Sequence, residues 1–476
     1  MRVDFDTAVV EQAQAVARAA QEEFFALAAE RAVVVSAVAG AGKSRLVVDT
    51  VAECRRRGVR AAVCAPTNEQ VFGLVRAIAE SDPGRKVAYV PARSIEVPSS
   101  LSLPNVEIVS EPHEADAVEV VVGTARKLAD AHHPRSSAVR ALGRRDALIM
   151  DESFQVDSTQ YFAVADLAPR HLLVGDGGQI QPFSTVAEGL QWRGLPEDPL
   201  ETAVGVLLAH HPRTTVHQFP ITRRCDARAV PVMRHFYPVS HRFGAAVPTG
   251  VRRMRLGAAH AVSPRTAALD ATLDTAAKAG WALCELPGAQ TRAADPEIAQ
   301  AILELIMRLT ERGCTLECER HPEGVTLAPE RIAIATAHTD QKLLLRALCD
   351  AAGLSGITVN TANQLQGLEF DLTISWHPLA GLARPDEFHL EAGRLCVMCT
   401  RHRHACIVVG RRSDRELLEG VAPAIPVYPG AYQNDAPQGW DVHRAVMEAL
   451  EQTIVELPSS TAGSGAAAAH IKREVS

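Results

Sequence analysis

The run Ala37 to Ser44, AVAGAGKS, constrains this chain more than any other feature. It follows an apolar stretch at Ala32 to Val35 and leads into Arg45 to Val51, so it reads as a strand, a glycine-rich loop and a helix start. Successive backbone N–H groups in such a loop turn inward and, with the positive end of the helix, cradle phosphate oxygens. Gly40 and Gly42, flanking Ala41, permit the tight path; Lys43 reaches the β and γ phosphates, Ser44 is placed for magnesium, and Arg45 opens the helix. The first glycine of the usual G-x-x-x-x-G-K-[ST] pattern is Ala37 here, while the GAGKS core is intact. A second run, LIMDES at Leu148 to Ser153, ends an apolar strand in two acids. Asp151 would hold the magnesium shell and Glu152 would polarise an attacking water. Alone, such a pair is more often a solvated strand end; with the loop upstream, a nucleoside triphosphate and Mg2+ are the implied ligands.

At 476 residues the chain is too long for one ordinary core, and two or three domains are expected. A 47% hydrophobic and 22% charged composition suits a globular enzyme rather than a disordered or fibrous chain. No run approaches bilayer length, and the start MRVDFDTAVV carries acids where a signal peptide would be basic and then apolar, so a cytoplasmic protein with no membrane partner is expected. The net charge of -7 gives no global nucleic-acid footprint, although a local groove can still be basic. Arg55 to Arg57 and Arg252, Arg253 and Arg255 are short basic runs of the kind that usually forms solvated faces. Ten cysteines without a signal peptide read as reduced core thiols. The spacings Cys314 with Cys318 and Cys396 with Cys399 lack the regular partners of a zinc site, so a small-hydrophobe role is favoured.

Short apolar strands alternate with helical patterns, first at Ala32 to Val35, Ala61 to Cys64, Val118 to Val122, Ala147 to Met150 and Leu172 to Val174. A second series runs through Ala282 to Leu286, Ile332 to Ala335, Ile357 to Asn360, Leu372 to Ser375 and Cys406 to Val409. Each series predicts an α/β domain with a parallel sheet flanked by helices, whose ligands gather at the carboxyl ends of the strands. The expected division is 1–210, with a small insertion at about 82–113, then 211–425, a helical extension at 426–458 and a disordered tail at 459–476.

Further motifs follow in order: CAPTNEQ from Cys64, GTARKL from Gly123, DESFQ from Asp151, VGDGGQIQPF from Val174, FPITRRCDARAV from Phe219, IAIATAHTDQ from Ile332, ITVNTANQLQGLEFD from Ile357 and GRLCVMCTRHRHACIVVG from Gly393. This set resembles the superfamily 1 helicases over roughly Ala32 to Gly410, and DESFQ and GDGGQIQP look most like the branch containing the nonsense-mediated-decay helicase and its bacterial relatives. The resemblance implies two tandem RecA-like domains with ATP and Mg2+ in the cleft between them, acting on single-stranded DNA or RNA. It implies that Gln179 senses the γ phosphate, that Arg224 and Arg401 are arginine fingers from the second domain, and that Glu369 binds the ribose. Gln21, with Gln14 competing, takes the place of the adenine-reading glutamine. Thr67, Asn68, Thr124, Thr361 and Gln366 match positions that hold a strand's backbone without reading bases, while Thr67 and Asn68 serve equally well as helix caps. The family's duplex-splitting insertions are short or missing, so ATP hydrolysis is a firmer expectation than unwinding. The competing expectation is an ATP-dependent conformational switch or regulatory ATPase that does not separate duplexes.

Overall fold

The computed structural model describes residues 5–26, 32–92, 95–136, 139–182, 192, 195, 198–422 and 437–459. The chain forms two compact units: Met1–Val251 with Glu391–Thr400 and Ala422–Val442, and Arg252–Leu390 with Arg401–Val421 and His443–Ser476.

The first unit is built on strands β1 (Ala32–Ala37), β2 (Ala61–Ala65), β3 (Val87–Tyr89), β4 (Val106–Ile108), β5 (Val120–Thr124), β6 (Ala147–Met150), β7 (His171–Gly175) and β8 (Val216–Phe219). They make one eight-stranded sheet in the order β4-β3-β5-β2-β6-β7-β1-β8, with every pairing parallel. All of β2 and β6 is buried, because a parallel strand covered on both faces loses the alternation of a half-exposed one. Cys64, Leu148, Met150 and Leu173 pack there with Leu128, Val164 and Leu207 from the helices.

Two expectations need correction. Residues 82–113 contain β3 and β4, which extend the main sheet at its edge instead of forming a separate insertion. The first unit also continues past residue 210 to Val251, taking in β8 and the parallel pair β9 (Ile221–Asp226) and β10 (Gly244–Val247). Backbone bonding explains the second: Arg223 N–H donates to the Gly40 carbonyl at 2.9 Å, and Thr222 Oγ1 donates to the Ala39 carbonyl at 2.9 Å. The segment after residue 210 is therefore fastened to the glycine loop.

The second unit holds β11 (Arg253–Leu256), β12 (Trp281–Leu286), β13 (Cys314–Cys318), β14 (His321–Thr326), β15 (Ile332–Thr336), β16 (Thr358–Thr361), β17 (Phe370–Trp376), β18 (His402–Arg411) and β19 (Ile454–Glu456). Six form a parallel sheet, β16-β15-β17-β18-β12-β19, and three an antiparallel sheet, β11-β13-β14. The last described elements are a helix, Gly439–Leu450, and β19 at the sheet edge, so the expected helical extension is only partly helical where it is described. The expected tail, 459–476, lies outside the described residues apart from Ser459. No helix among the described residues is long and apolar enough to cross a membrane.

All ten cysteines are buried and none is disulfide-bonded. The basic runs are mostly exposed, at Arg56, Arg57, Arg253 and Arg255, but one residue of each turns inward: Arg55 donates to Asp82 and to the Lys86 carbonyl, and Arg252 to Glu319. Burial alone would raise Glu319, but its bonds to Arg252 outweigh that and hold it down at about 2.

Candidate nucleotide site

In the first unit each motif loop follows the carboxyl end of a parallel strand. The glycine loop follows β1, Thr67 and Asn68 follow β2, Thr124 ends β5, Asp151 and Glu152 follow β6, and Gln179 follows β7. Gly40 and Gly42 have φ of 74° and 95°, a left-handed path that glycine adopts without steric cost. Gly42 is the N-cap of the helix Lys43–Arg56, and no side chain caps that end, so its first N–H groups suit an anion. A Cβ on Gly40 would lie 2.4 Å from Arg224 Cβ, which fixes how closely β9 approaches the loop.

Lys43 is buried, with Nζ 3.6 Å from Glu152 Oε1 and 3.4 Å from Asp176 Oδ2. Burial disfavours its charge, but Glu152, Asp176 and Asp151 together outweigh it and hold the ammonium above its usual range, with Arg224 opposing. Ser44 Oγ donates to Asp151 Oδ2 at 3.1 Å. Burial, and after it the Glu152 carboxylate, push Asp151 up to about 7. Ser44 and Asp151 present oxygen atoms only, the donor type that a hard cation such as Mg2+ takes.

Glu152 is the only non-glycine residue at positive φ among the described residues, at 52°. That conformation costs of order 1–3 kcal/mol and persists where surrounding contacts over-determine it. Gln179 Nε2 donates to Asp176 Oδ2 at 2.6 Å, and its Oε1 is buried without a hydrogen-bond partner among the described residues.

The structure brings Lys43, Ser44, Asp151, Glu152 and Gln179 together, and it corrects Arg224. That residue lies on β9 in the first unit, not the second, with Nη1 donating to the Thr400 carbonyl at 3.0 Å. Arg401, Glu369, Thr361 and Gln366 belong to the second unit. Arg401 is buried, and its carbonyl accepts from Phe370 N–H at 2.9 Å. Glu369 lines a cavity with Arg331, Asp371, Arg403 and His404, with Leu316 and Val325 among its apolar walls. Thr361 caps the short helix Ala362–Leu365, and Gln366 ends it.

Thr67 and Thr124 both cap helices, accepting from Gln70 N–H and Lys127 N–H, and Asn68 opens the first of these helices. Gln21 Nε2 donates to Thr50 Oγ1 at 3.0 Å, tying the helix Thr7–Ala26 to the phosphate-loop helix. Ala41 is buried, while Arg45 is exposed and pairs with Asp49 at 2.9 Å.

Three residues escaped the sequence reading as site components. Asp176 lay inside a quoted motif, and the structure makes it the acceptor shared by Lys43 and Gln179. Tyr237, a lone tyrosine with no motif around it, accepts from Ala39 N–H at 2.8 Å and lies 3.4 Å from Asp176 Oδ2. Gly393 packs so close to the Gln179 loop that a Cβ would fall 2.4 Å from the Gln179 carbonyl oxygen. Because that neighbour is backbone and cannot swing aside, Gly393→Ala should destabilise the protein by about 1–3 kcal/mol. A urea unfolding midpoint unchanged from wild type would show that the contact relaxes freely.

Two family models, each described as AAA domain, match the chain at residues 20–185 and 284–413. Between them they span the glycine loop, the paired acids and the motifs of the second unit. The chain is a P-loop ATPase with AAA-type domains over these two stretches. No curated protein matches the ATPase by sequence. It is similar to solved structures of Arterivirus nonstructural protein 10 (helicase), at 12% identity and a TM-score of 0.41, covering 84% of this chain and 62% of that one. A structure of the same viral protein with DNA matches at 11% identity and a TM-score of 0.40, covering 83% and 62%. The ATPase thus spans about three fifths of the length of these solved chains.

Proposed function

We propose that this ATPase couples Mg2+-dependent ATP hydrolysis to movement along single-stranded DNA or RNA. The observation that carries the reading is the gathering of Lys43, Ser44, Asp151, Glu152 and Gln179 around one glycine loop. Magnesium, held by Ser44 and Asp151, would neutralise charge on the β and γ phosphate oxygens. Lys43 grips the same phosphates, and Glu152 orients the attacking water and takes its proton. Arg224 and Arg401 are the proposed fingers that would stabilise the transferring phosphoryl group, with Glu369 for the ribose and Gln21 for the adenine.

Thr67, Asn68, Thr124, Thr361 and Gln366 grip sugar and phosphate, the sequence-independent contact a stepping motor needs. ATP turnover should rise on adding poly-dT or poly-U, and the rise should weaken with salt as phosphate contacts are screened. If neither homopolymer changes turnover at any salt, the motor reading fails and the non-unwinding switch replaces it. Strand displacement on tailed duplexes then separates a helicase from a translocase.

A further inference from the structure

We infer that Gln155 and Gln70 are positioning residues: a one-way hydrogen-bond relay runs from the cap of the helix Asn68–Ser81 to the Glu152 carboxylate and sets its catalytic geometry. Gln155 Nε2 donates to Glu152 Oε2 at 3.0 Å. Gln70 Nε2 donates to Gln155 Oε1 at 3.2 Å. Gln70 Oε1 in turn accepts from Thr67 N–H at 3.1 Å, while Gln70 N–H donates to Thr67 Oγ1 at 3.4 Å. Every member belongs to the first unit, and the chain runs from exposed Thr67 to buried Glu152.

The direction of this chain is dictated by chemistry. An ionised carboxylate only accepts, so Gln155 must present its amide N–H to Glu152 and its carbonyl to Gln70. Gln70 must then spend an N–H on Gln155, which leaves its own carbonyl for the Thr67 amide. Reversing either amide places oxygen against oxygen. The relay also addresses the strain at Glu152, whose left-handed backbone needs outside contacts to hold it. Gln155 supplies two of them, the side-chain bond and Gln155 N–H to the Glu152 carbonyl at 2.8 Å.

The regulatory consequence rests on the proposed function. A strand held at Thr67 and Asn68 would pull on the cap that fixes Gln70, and so on the aim of Glu152. Nucleic acid would thereby change the rate of hydrolysis without touching the nucleotide.

Gln70→Glu isolates the relay, because it keeps an acceptor for Thr67 N–H, and so the cap, but removes the donor to Gln155. Basal ATP turnover without nucleic acid should fall about tenfold in Gln70→Glu and in Gln155→Ala, with KM for ATP within about twofold of wild type, as expected for a mis-aimed catalytic group. Gln70→Ala combined with Gln155→Ala should be no slower than Gln155→Ala alone, since both break one chain. Thermal melts confirm folding, and Gln155→Ala, which leaves the cap untouched, stands in if Gln70 variants unfold. Wild-type kcat in Gln70→Glu, or losses that multiply in the double variant, would overturn the relay. A poly-dT arm separates the two readings. Wild-type turnover indifferent to the strand sinks the motor while the basal series still decides the relay, and a stimulated wild type should lose most of its stimulation in Gln70→Glu.

Discussion

Lys43→Ala should reduce ATP turnover by at least about a hundredfold, the scale on which removing a preorganised charge from a phosphoryl-transfer site acts. The side chain is buried among Glu152, Asp176 and Asp151, so its single positive charge offsets part of their negative charge before any phosphate arrives. Removing it has a second effect on the protein itself. A buried charge stripped of its partner costs about 3–5 kcal/mol unless it takes up a proton. Asp151, already pushed up to about 7 with Lys43 present, is the acid placed to do so, because losing the ammonium raises it further. At neutral pH the variant would hold a protonated Asp151, a poor ligand for a cation. The test is ATP turnover together with Mg2+-dependent binding of a fluorescent ATP analogue, and both should fall. Near-normal turnover in a folded Lys43→Ala protein would mean that the loop is not the phosphate site.

Much of this could be read from the sequence, for reasons that differ by element. The glycine loop was legible because its chemistry needs contiguous residues: two glycines at positive φ, then Lys43 and Ser44 at the helix start. Interior strands such as Ala61–Ala65 and Ala147–Met150 were legible because burial on both faces leaves them apolar at every position. The edge strands Val87–Tyr89 and Val106–Ile108 are three residues each, too short to show a period, and so passed for an insertion. Residues 211–251 group with the first unit although their sequence does not show it, because their attachment to the glycine loop runs through backbone atoms of Arg223 and Gly40 and one threonine hydroxyl, which leave no pattern in composition. Arg224, expected as a finger from the second domain, lies in the first unit for the same reason, where its charge opposes that of Lys43. Tyr237 and Gly393 act through close approach across long sequence separations, which only coordinates reveal.

Glu152→Gln should separate binding from chemistry. The replacement is nearly isosteric, and glutamine keeps an oxygen that can accept from Gln155 Nε2, so the strained backbone at φ 52° retains its main support. What it loses is a base: an amide cannot take a proton from water, and general-base catalysis is worth about 10²- to 10⁴-fold. Turnover should fall by that factor. Binding should persist, because Lys43, Ser44, Asp151 and the loop N–H groups are all retained, and Asp151 loses the negative neighbour that helps push it up. Mg2+ affinity measured through a fluorescent ATP analogue should therefore be equal to wild type or somewhat tighter. Since Glu152 also faces Lys43 at 3.6 Å, one negative charge leaves the cradle and the ammonium is freer to meet the γ phosphate. A variant that binds ATP as wild type does and still hydrolyses it at a comparable rate would show that another group activates the water. One that loses binding altogether would show that Glu152 holds the site together instead of acting on the reaction.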